Sequence, residues 1–315
     1  MSQFEQILQC IQDYPRIIIH RHKNPDGDAL GAQIGLAHLL RENFPGKKIY
    51  TVGDAAKRYA FMQDSTMDTV PDEAYHGALA IILDTSAAAL ISDTRYTLAD
   101  RTVRIDHHIF VEQIADVELT DTSFESCCGL ITALAQHYGW RMTPSAAQSL
   151  FTGMVTDSGR FRYDSTTSKT FALASYLTEQ PFDVSSIYAN LYADDFDYIR
   201  LRAQFVLKIQ FTEHRVAYIY TDRAEAATYA ADTFTISRGM VGTMSDIRGV
   251  DIWVNFTETD EGVLCEIRSN RYNINPVAVQ FGGGGHQKAS GATLKDRTQA
   301  MELLAVLDAI AKEGQ

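Results

Sequence analysis

The feature that most constrains this chain is a pattern in its N-terminal third, where short apolar runs of strand length each lead into titratable side chains. Ile17-Ile18-Ile19 runs into His20 to Asp28, Ala80-Ile81-Ile82-Leu83 into Asp84, and Thr102-Val103-Arg104-Ile105 into Asp106-His107-His108. Short apolar runs of this kind, rich in β-branched residues, read as buried strands. Helical spacings lie around the first: Phe4, Ile7, Leu8 and Ile11 before it, and Leu30, Ile34, Leu36, Leu39 and Leu40 after it. Gly46 closes that second helix before the strand-like Lys48-Ile49-Tyr50-Thr51-Val52. Strands alternating with helices predict an α/β domain with a mainly parallel sheet. Ligands gather at the carboxyl ends of such strands, so the three titratable clusters are expected to share one site.

At 315 residues the chain is too long for one ordinary core and suits two domains of roughly 150 residues. Helical patterns continue through residues 127–138, 144–155 and 169–177, and residues 184 to about 209 read as one or two linking helices. From Arg215 the texture changes. Val216-Ala217-Tyr218-Ile219-Tyr220 and Ile252-Trp253-Val254-Asn255-Phe256 read as strands, and the turn Asp260-Glu261-Gly262 makes a hairpin with residues 263–268. A short helix over 275–281, a loop over 282–285 and a terminal helix over 298–311 complete the reading. The expected organisation is a catalytic α/β domain over 1–183, a helical linker over 184–213, and a smaller mixed α/β domain over 214–315, with the active site in the cleft between the domains.

The formal net charge is -12, which repels a long polynucleotide but not a small phosphorylated molecule whose charge is met by bound cations. Four cysteines, Cys10, Cys127, Cys128 and Cys265, show neither metal-binding nor disulfide spacing; Cys127 and Cys128 read as small buried helix residues. No signal pattern or membrane-length apolar run occurs, and a cytoplasmic protein is expected.

His22-Lys23-Asn24-Pro25-Asp26-Gly27-Asp28 places an imidazole and two carboxylates within seven positions, donors suited to hard or borderline divalent cations. By itself it is also a turn, with Asp28 capping a helix that begins at Ala29. Asp106-His107-His108 equally reads as a solvated surface turn, Asp84 as a helix cap, and Asp157, in Gly153-Met154-Val155-Thr156-Asp157-Ser158-Gly159, as a capped helix end. Their joint occurrence, in order and with helix-length spacers, favours a metal centre. Two cations clamp a phosphate, activate water and stabilise both attacking and leaving oxygens.

These motifs resemble those of the Asp-His-His phosphoesterase superfamily: His22-x-x-x-Asp26-x-Asp28, Leu83-Asp84-Thr85, Asp106-His107-His108 and Gly153-Met154-Val155-Thr156-Asp157. Phe281-Gly282-Gly283-Gly284-Gly285-His286 with Ala289-Ser290-Gly291 resembles the motif of the attached DHHA1 substrate-binding domain. Within the superfamily the chain is most similar to bacterial nanoRNases that are also 3',5'-phosphoadenosine phosphatases, and to pApA hydrolases. The resemblance implies two Mn2+ ions, with Mg2+ or Co2+ as substitutes, one held by His22, Asp26 and Asp84 and the other by Asp28, Asp84, His107 and Asp157. Asp84 would bridge them, His108 would face the substrate phosphate, and Asp106 would orient the histidines. His20 gets no role beyond packing at a strand end.

A glycine run is otherwise a flexible linker, but between a helix and a strand it can turn several N–H groups toward an anion. Gly283, Gly284, Gly285 and His286, with Arg268 at the hairpin end, are therefore the substrate-binding candidates. The expected substrates are oligoribonucleotides of a few residues or small nucleotides such as phosphoadenosine phosphate and pApA, without a long nucleic-acid track or a membrane partner, and with a homodimer allowed. Competing readings are an inorganic pyrophosphatase of the same superfamily, a single-strand exonuclease and a non-catalytic nucleotide sensor. The glycine-rich motif argues against the first, length and charge against the second, and the full ligand set against the third.

Overall fold

The computed structural model describes residues 2–314, except for the Lys57 side chain. The chain forms two compact units, Met1–Ala193 and Asp194–Gln315, dividing within the stretch read as a linker.

The first unit contains α1 (Gln3–Asp13), β1 (Arg16–Arg21), α2 (Gly27–Asn43), β2 (Lys48–Thr51), β3 (Leu79–Leu83), β4 (Arg101–Asp106), β5 (Val117–Thr120), α3 (Cys127–His137), α4 (Pro144–Asp157), α5 (Ser168–Thr178) and α6 (Val184–Tyr192). Its strands form one sheet in the order β2-β1-β3-β4-β5, and every pairing is parallel. The order reverses beside β1, with β2 on one side and β3 on the other. Such a reversal opens a crevice at the carboxyl ends of the strands. Loop 22–26 and Asp84 emerge there. β5 lacks a recognisable run in the sequence because only Val117 and Leu119 of its four residues are buried.

Three glycines set the spacing of α2 against α4. Gly27, Gly31 and Gly35 recur every four residues along one face of α2. A Cβ on Gly31 would stand 2.5 Å from the Ser149 carbonyl oxygen and 3.2 Å from the Gly153 nitrogen; one on Gly35 would meet Leu150 at 2.6 Å. The two backbones can approach because no side chain stands between them. This contact carries the first turn of α2, with Asp28, toward the last turn of α4, with Asp157. Ile17, Ile19, Leu30, Ile81, Ile105, Leu134 and Leu150 belong to the core around it.

The second unit contains α7 (Phe196–Leu207), β6 (Gln210–Phe211), β7 (Ala217–Thr221), α8 (Arg223–Ala226), β8 (Ile252–Thr259), β9 (Gly262–Ser269), α9 (Asn275–Gln280), β10 (Gly284–Gly285), β11 (Ala289–Leu294) and α10 (Arg297–Glu313). Its mixed sheet runs β10-β11-β9-β8-β7-β6, with β7 and β8 parallel and the other pairs antiparallel. The hairpin expected at 260–262 joins β8 to β9. The glycine-rich stretch differs from the loop expected of it: Gly284 pairs with Gly291 and Gly285 with Ser290. A Cβ on Gly285 would lie 2.6 Å from the Ala289 carbonyl oxygen, so the close approach of the two strands excludes one. None of the described helices is long and apolar enough to cross a membrane.

Candidate metal centre

All six proposed ligands lie in the first unit, delivered by separate segments to one end of its sheet. Asp26 caps α2, its Oδ1 accepting from the Asp28 and Ala29 N–H groups at 3.0 and 2.9 Å. The helix therefore starts at Gly27, and Asp28 is not the cap that a local reading allows. Asp28 is fully buried and reaches α3 instead, where Cys127 N–H donates to its Oδ2 at 2.7 Å and Cys128 N–H to its Oδ1 at 2.9 Å. The unsatisfied N–H groups and positive dipole of a helix start favour a carboxylate there. Sequence reasoning found only small buried cysteines at 127 and 128; the signal available was Ser126, whose side chain caps α3.

Asp84 also departs from its local reading, because the short 3-10 turn that follows, Ala88–Leu90, starts from Ala87 and takes no side-chain cap. It takes a left-handed conformation, φ 50°, which a non-glycine residue adopts at a cost of about 1–2 kcal/mol. Its N–H still donates to the Ile105 carbonyl at 3.1 Å. The turn brings its 2% exposed carboxylate between the histidines. Oδ2 lies 3.6 Å from His22 Nε2, and Oδ1 lies 3.4 Å from His107 Nε2 and 3.5 Å from His108 Nδ1. The two oxygens thus face different imidazoles, the disposition a bridging ligand needs. His22 Nε2 is 3.8 Å from Asp26 Oδ1, while His107 Nε2 is 3.8 Å from Asp28 Oδ2 and 3.3 Å from Asp157 Oδ2.

Ligand atoms fall into three groups within 4.8 Å: His22, Asp26 and Asp84; Asp28, His107 and Asp157; and Asp84, His107 and His108. His108 is set apart in the third by its Nδ1, which is already 2.8 Å from Asp106 Oδ1. Its side chain is 37% exposed, and Asp106 is wholly buried behind it. His20 stands elsewhere, packed by Tyr75 and Tyr96 with Nδ1 3.1 Å from the Asp93 carbonyl. Burial lowers it to about 4, keeping it neutral.

The electrostatics of the cluster call for a cation. Burial alone would lower the His22 imidazole, but hydrogen bonds to Asp26 and Asp84 carry it to about 11. Burial likewise opposes His107, yet Asp84 and Asp28 raise it to about 10. Burial, with Asp84 and Asp26 nearby, pushes Asp157 up to about 7 against the pull of His107. Asp28 too is raised well above the usual carboxylate range by burial, Asp84 and Asp157. The carboxylates draw protons onto the imidazoles because so much negative charge is gathered out of water. Asp84 Oδ1 is buried without a hydrogen-bond partner, and an acceptor in that state fits a metal ligand. Imidazole and carboxylate together suit first-row divalent ions, and the His22 Nδ1 contact with the Lys23 carbonyl at 2.9 Å directs Nε2 inward.

The substrate-binding candidates lie in the second unit. Arg268, on β9, reaches Glu266 at 3.0 Å and the Ile267 carbonyl at 2.9 Å. His286 is exposed at the turn before β11, its N–H donating to the Ala289 carbonyl at 2.8 Å. The Gly282 and Gly283 N–H groups donate to Val279 and Ala278 carbonyls at 3.0 and 2.8 Å. The glycines around Gly283, Gly284 and Gly285 thus build a tight helix-to-hairpin join rather than an open row of donors.

The description "DHH family, N-terminal domain" matches residues 16–154, and "DHHA1 domain" matches residues 226–313. The chain is 33% identical over 313 residues to the bifunctional oligoribonuclease and PAP phosphatase NrnA of Bacillus subtilis (strain 168), covering 98% of this chain and 99% of that protein. It is 33% identical over 293 residues to a probable bifunctional oligoribonuclease and PAP phosphatase NrnA of Streptococcus mutans, covering 93% of this chain and 94% of that one. The crystal structure of an exopolyphosphatase-related protein from Bacteroides fragilis shares the fold, with a TM-score of 0.88 at 24% identity, covering 98% of this chain and 97% of that one. With both domain patterns in place, and relatives matched along nearly its whole length, the chain belongs to the DHH family, its DHH domain joined to a DHHA1 domain.

Proposed function

We propose that the protein is a manganese-dependent phosphoesterase that hydrolyses oligoribonucleotides of a few residues and small nucleotides such as phosphoadenosine phosphate or pApA. The observation that carries this reading is the Asp84 carboxylate, whose two oxygens face His22 on one side and His107 on the other. The activities named for the Bacillus subtilis and Streptococcus mutans relatives support the substrate class, and the imidazole-carboxylate donor set supports manganese.

Bound at these residues, two divalent cations supply Lewis acidity and neutralise phosphate charge. His22, Asp26 and Asp84 would hold one, and Asp28, Asp84, His107 and Asp157 the other. Asp28 stays aimed through its two bonds to α3, and Asp84 through its turned backbone. Asp106 fixes the ring of His108 through Nδ1 and, ahead of burial's opposing effect, raises its basicity. The outer nitrogen, Nε2, is then left to donate a proton to a phosphoryl oxygen or the departing alkoxide. Arg268 and His286 remain the second unit's candidates for contacting a nucleotide.

The test is to incubate purified protein and manganese with oligoribonucleotides of graded length, phosphoadenosine phosphate and pyrophosphate. Turnover is expected on the two smallest oligonucleotides and on phosphoadenosine phosphate, falling beyond about five nucleotides as repulsion by the acidic surface grows. Equal turnover of long strands, or cleavage of pyrophosphate alone, refutes the reading.

A further inference from the structure

Beyond Asp157 the backbone does something costly. Gly159, Arg160 and Phe161 take left-handed conformations in succession, with φ 57°, 66° and 61°. Glycine does this freely, but each of the other two residues costs about 1–2 kcal/mol. The turn is held by Arg160 N–H donating to the Val155 carbonyl at 2.8 Å and Phe161 N–H donating to Ser158 Oγ at 2.9 Å. Phe161 faces inward, between Phe151 and Phe171 at 5.9 and 5.5 Å. Arg160 is exposed.

Its guanidinium lies 4.5 Å from the centre of the Tyr192 ring and has no acidic partner among the described residues. A guanidinium stacked on an aromatic face keeps its edge available, and that edge matches two phosphate oxygens. Tyr192 stands beside Tyr188, ring centres 6.0 Å apart, and is 39% exposed. The turn that carries Arg160 leaves α4 directly after Asp157, and Thr156, one residue before Asp157, packs on Gly27 of the ligand loop, where a Cβ would stand 2.5 Å from its hydroxyl oxygen. The arginine and tyrosine patch therefore begins three residues from a proposed metal ligand.

We propose that Arg160, seated on the Tyr192 ring three residues after Asp157, binds a non-scissile phosphate of the nucleotide and positions the neighbouring phosphoester at the metal centre. The assignment rests on the reading of the protein as a phosphoesterase of small nucleotides. It gives the first unit its own contact with the substrate, and makes Arg160 a residue that favours phosphorylated nucleotides over those without a second phosphate.

The experiment compares wild-type protein, Arg160→Gly and Arg160→Lys on pApA and on ApA, which lacks the terminal phosphate. Arg160→Gly removes the guanidinium and also relieves the left-handed backbone, so its melting temperature is expected to match or exceed that of wild type. kcat/KM on pApA is expected to fall about tenfold to a hundredfold in Arg160→Gly, mainly through KM, with partial recovery in Arg160→Lys. The loss on ApA is expected to be several-fold smaller. Equal losses on the two, no loss on pApA, or a matching loss of manganese affinity overturns the proposal. If wild type cleaves neither dinucleotide, the proposed activity falls, and calorimetric binding of phosphoadenosine phosphate still decides the contact. There, tenfold weakening in Arg160→Gly upholds it, whereas equal binding, or none to wild type, overturns it.

Discussion

Replacing Gly31 with alanine tests whether close contact between α2 and α4 is what assembles the metal centre. The added Cβ would stand 2.5 Å from the Ser149 carbonyl oxygen, about 0.9 Å short of the 3.4 Å of ordinary contact, with Gly153 N and Cys128 Sγ both at 3.2 Å. Two of these obstacles are backbone atoms, which cannot rotate away. The helices must part by most of an ångström. Overpacking of this kind costs about 1–3 kcal/mol, and the better helix propensity of alanine returns at most about 1 kcal/mol. With that return in full, a net loss of up to about 2 kcal/mol lowers the melting temperature of a unit this size by up to about 8 °C. Because Asp157 ends α4 while Asp28 sits in the first turn of α2, the displacement also spreads the second ligand group. Misplacement by about 1 Å can reduce turnover about a hundredfold. Thermal melting with and without manganese, a manganese titration and kcat/KM read the three effects separately. An unchanged or higher melting temperature together with wild-type manganese affinity refutes the reasoning.

Asp84→Asn is expected to abolish turnover and weaken manganese binding by more than about a hundredfold, since one carboxylate serves both ligand groups; retention of two tightly bound ions by calorimetry would contradict the bridge. Manganese affinity is expected to rise with pH between 6 and 8, because the metal-free cluster holds protons on His22 (about 11) and His107 (about 10) that an ion must displace. Calorimetry in two buffers of different ionisation enthalpy measures the protons released, and zero release, or affinity that falls with pH, rejects the sign. Asp106→Asn is expected to lower kcat about tenfold to a hundredfold by loosening His108, with a smaller loss on a p-nitrophenyl ester whose leaving group needs no proton. A uniform loss on both would move Asp106 from proton transfer to support of the metal ligands.

The candidate ligands were legible because each stands where a regular element begins or stops. His22, Asp84 and His107 follow apolar runs, and a titratable side chain there has few uses that are not structural caps. The partners that hold them were less so. Asp28 appears locally as the cap of a helix beginning at Ala29, yet its carboxylate is fixed by α3, about a hundred residues away in the chain. The spacing of Gly27, Gly31 and Gly35 carries no meaning until α4 lies across it. Arg160 escaped for a different reason: nothing in Ser158-Gly159-Arg160 reveals a left-handed run, which exists because Phe161 is anchored between Phe151 and Phe171. In the second unit, the glycines were read as an open loop because a two-residue strand leaves no periodicity to detect.

If Asp28 holds an ion as proposed, its bonds to α3 make one carboxylate answer to both a helix and that ion. An ion drawing electron density from the carboxylate would weaken its hold on the Cys127 N–H, now at 2.7 Å, while a helix that frays there leaves the carboxylate free to turn. The amides of Cys127 and Cys128 consequently act as built-in gauges. Their hydrogen-exchange rates would report the strength of the ion's grip on Asp28 from inside the protein, without a substrate, a dye or any change to the ligands themselves.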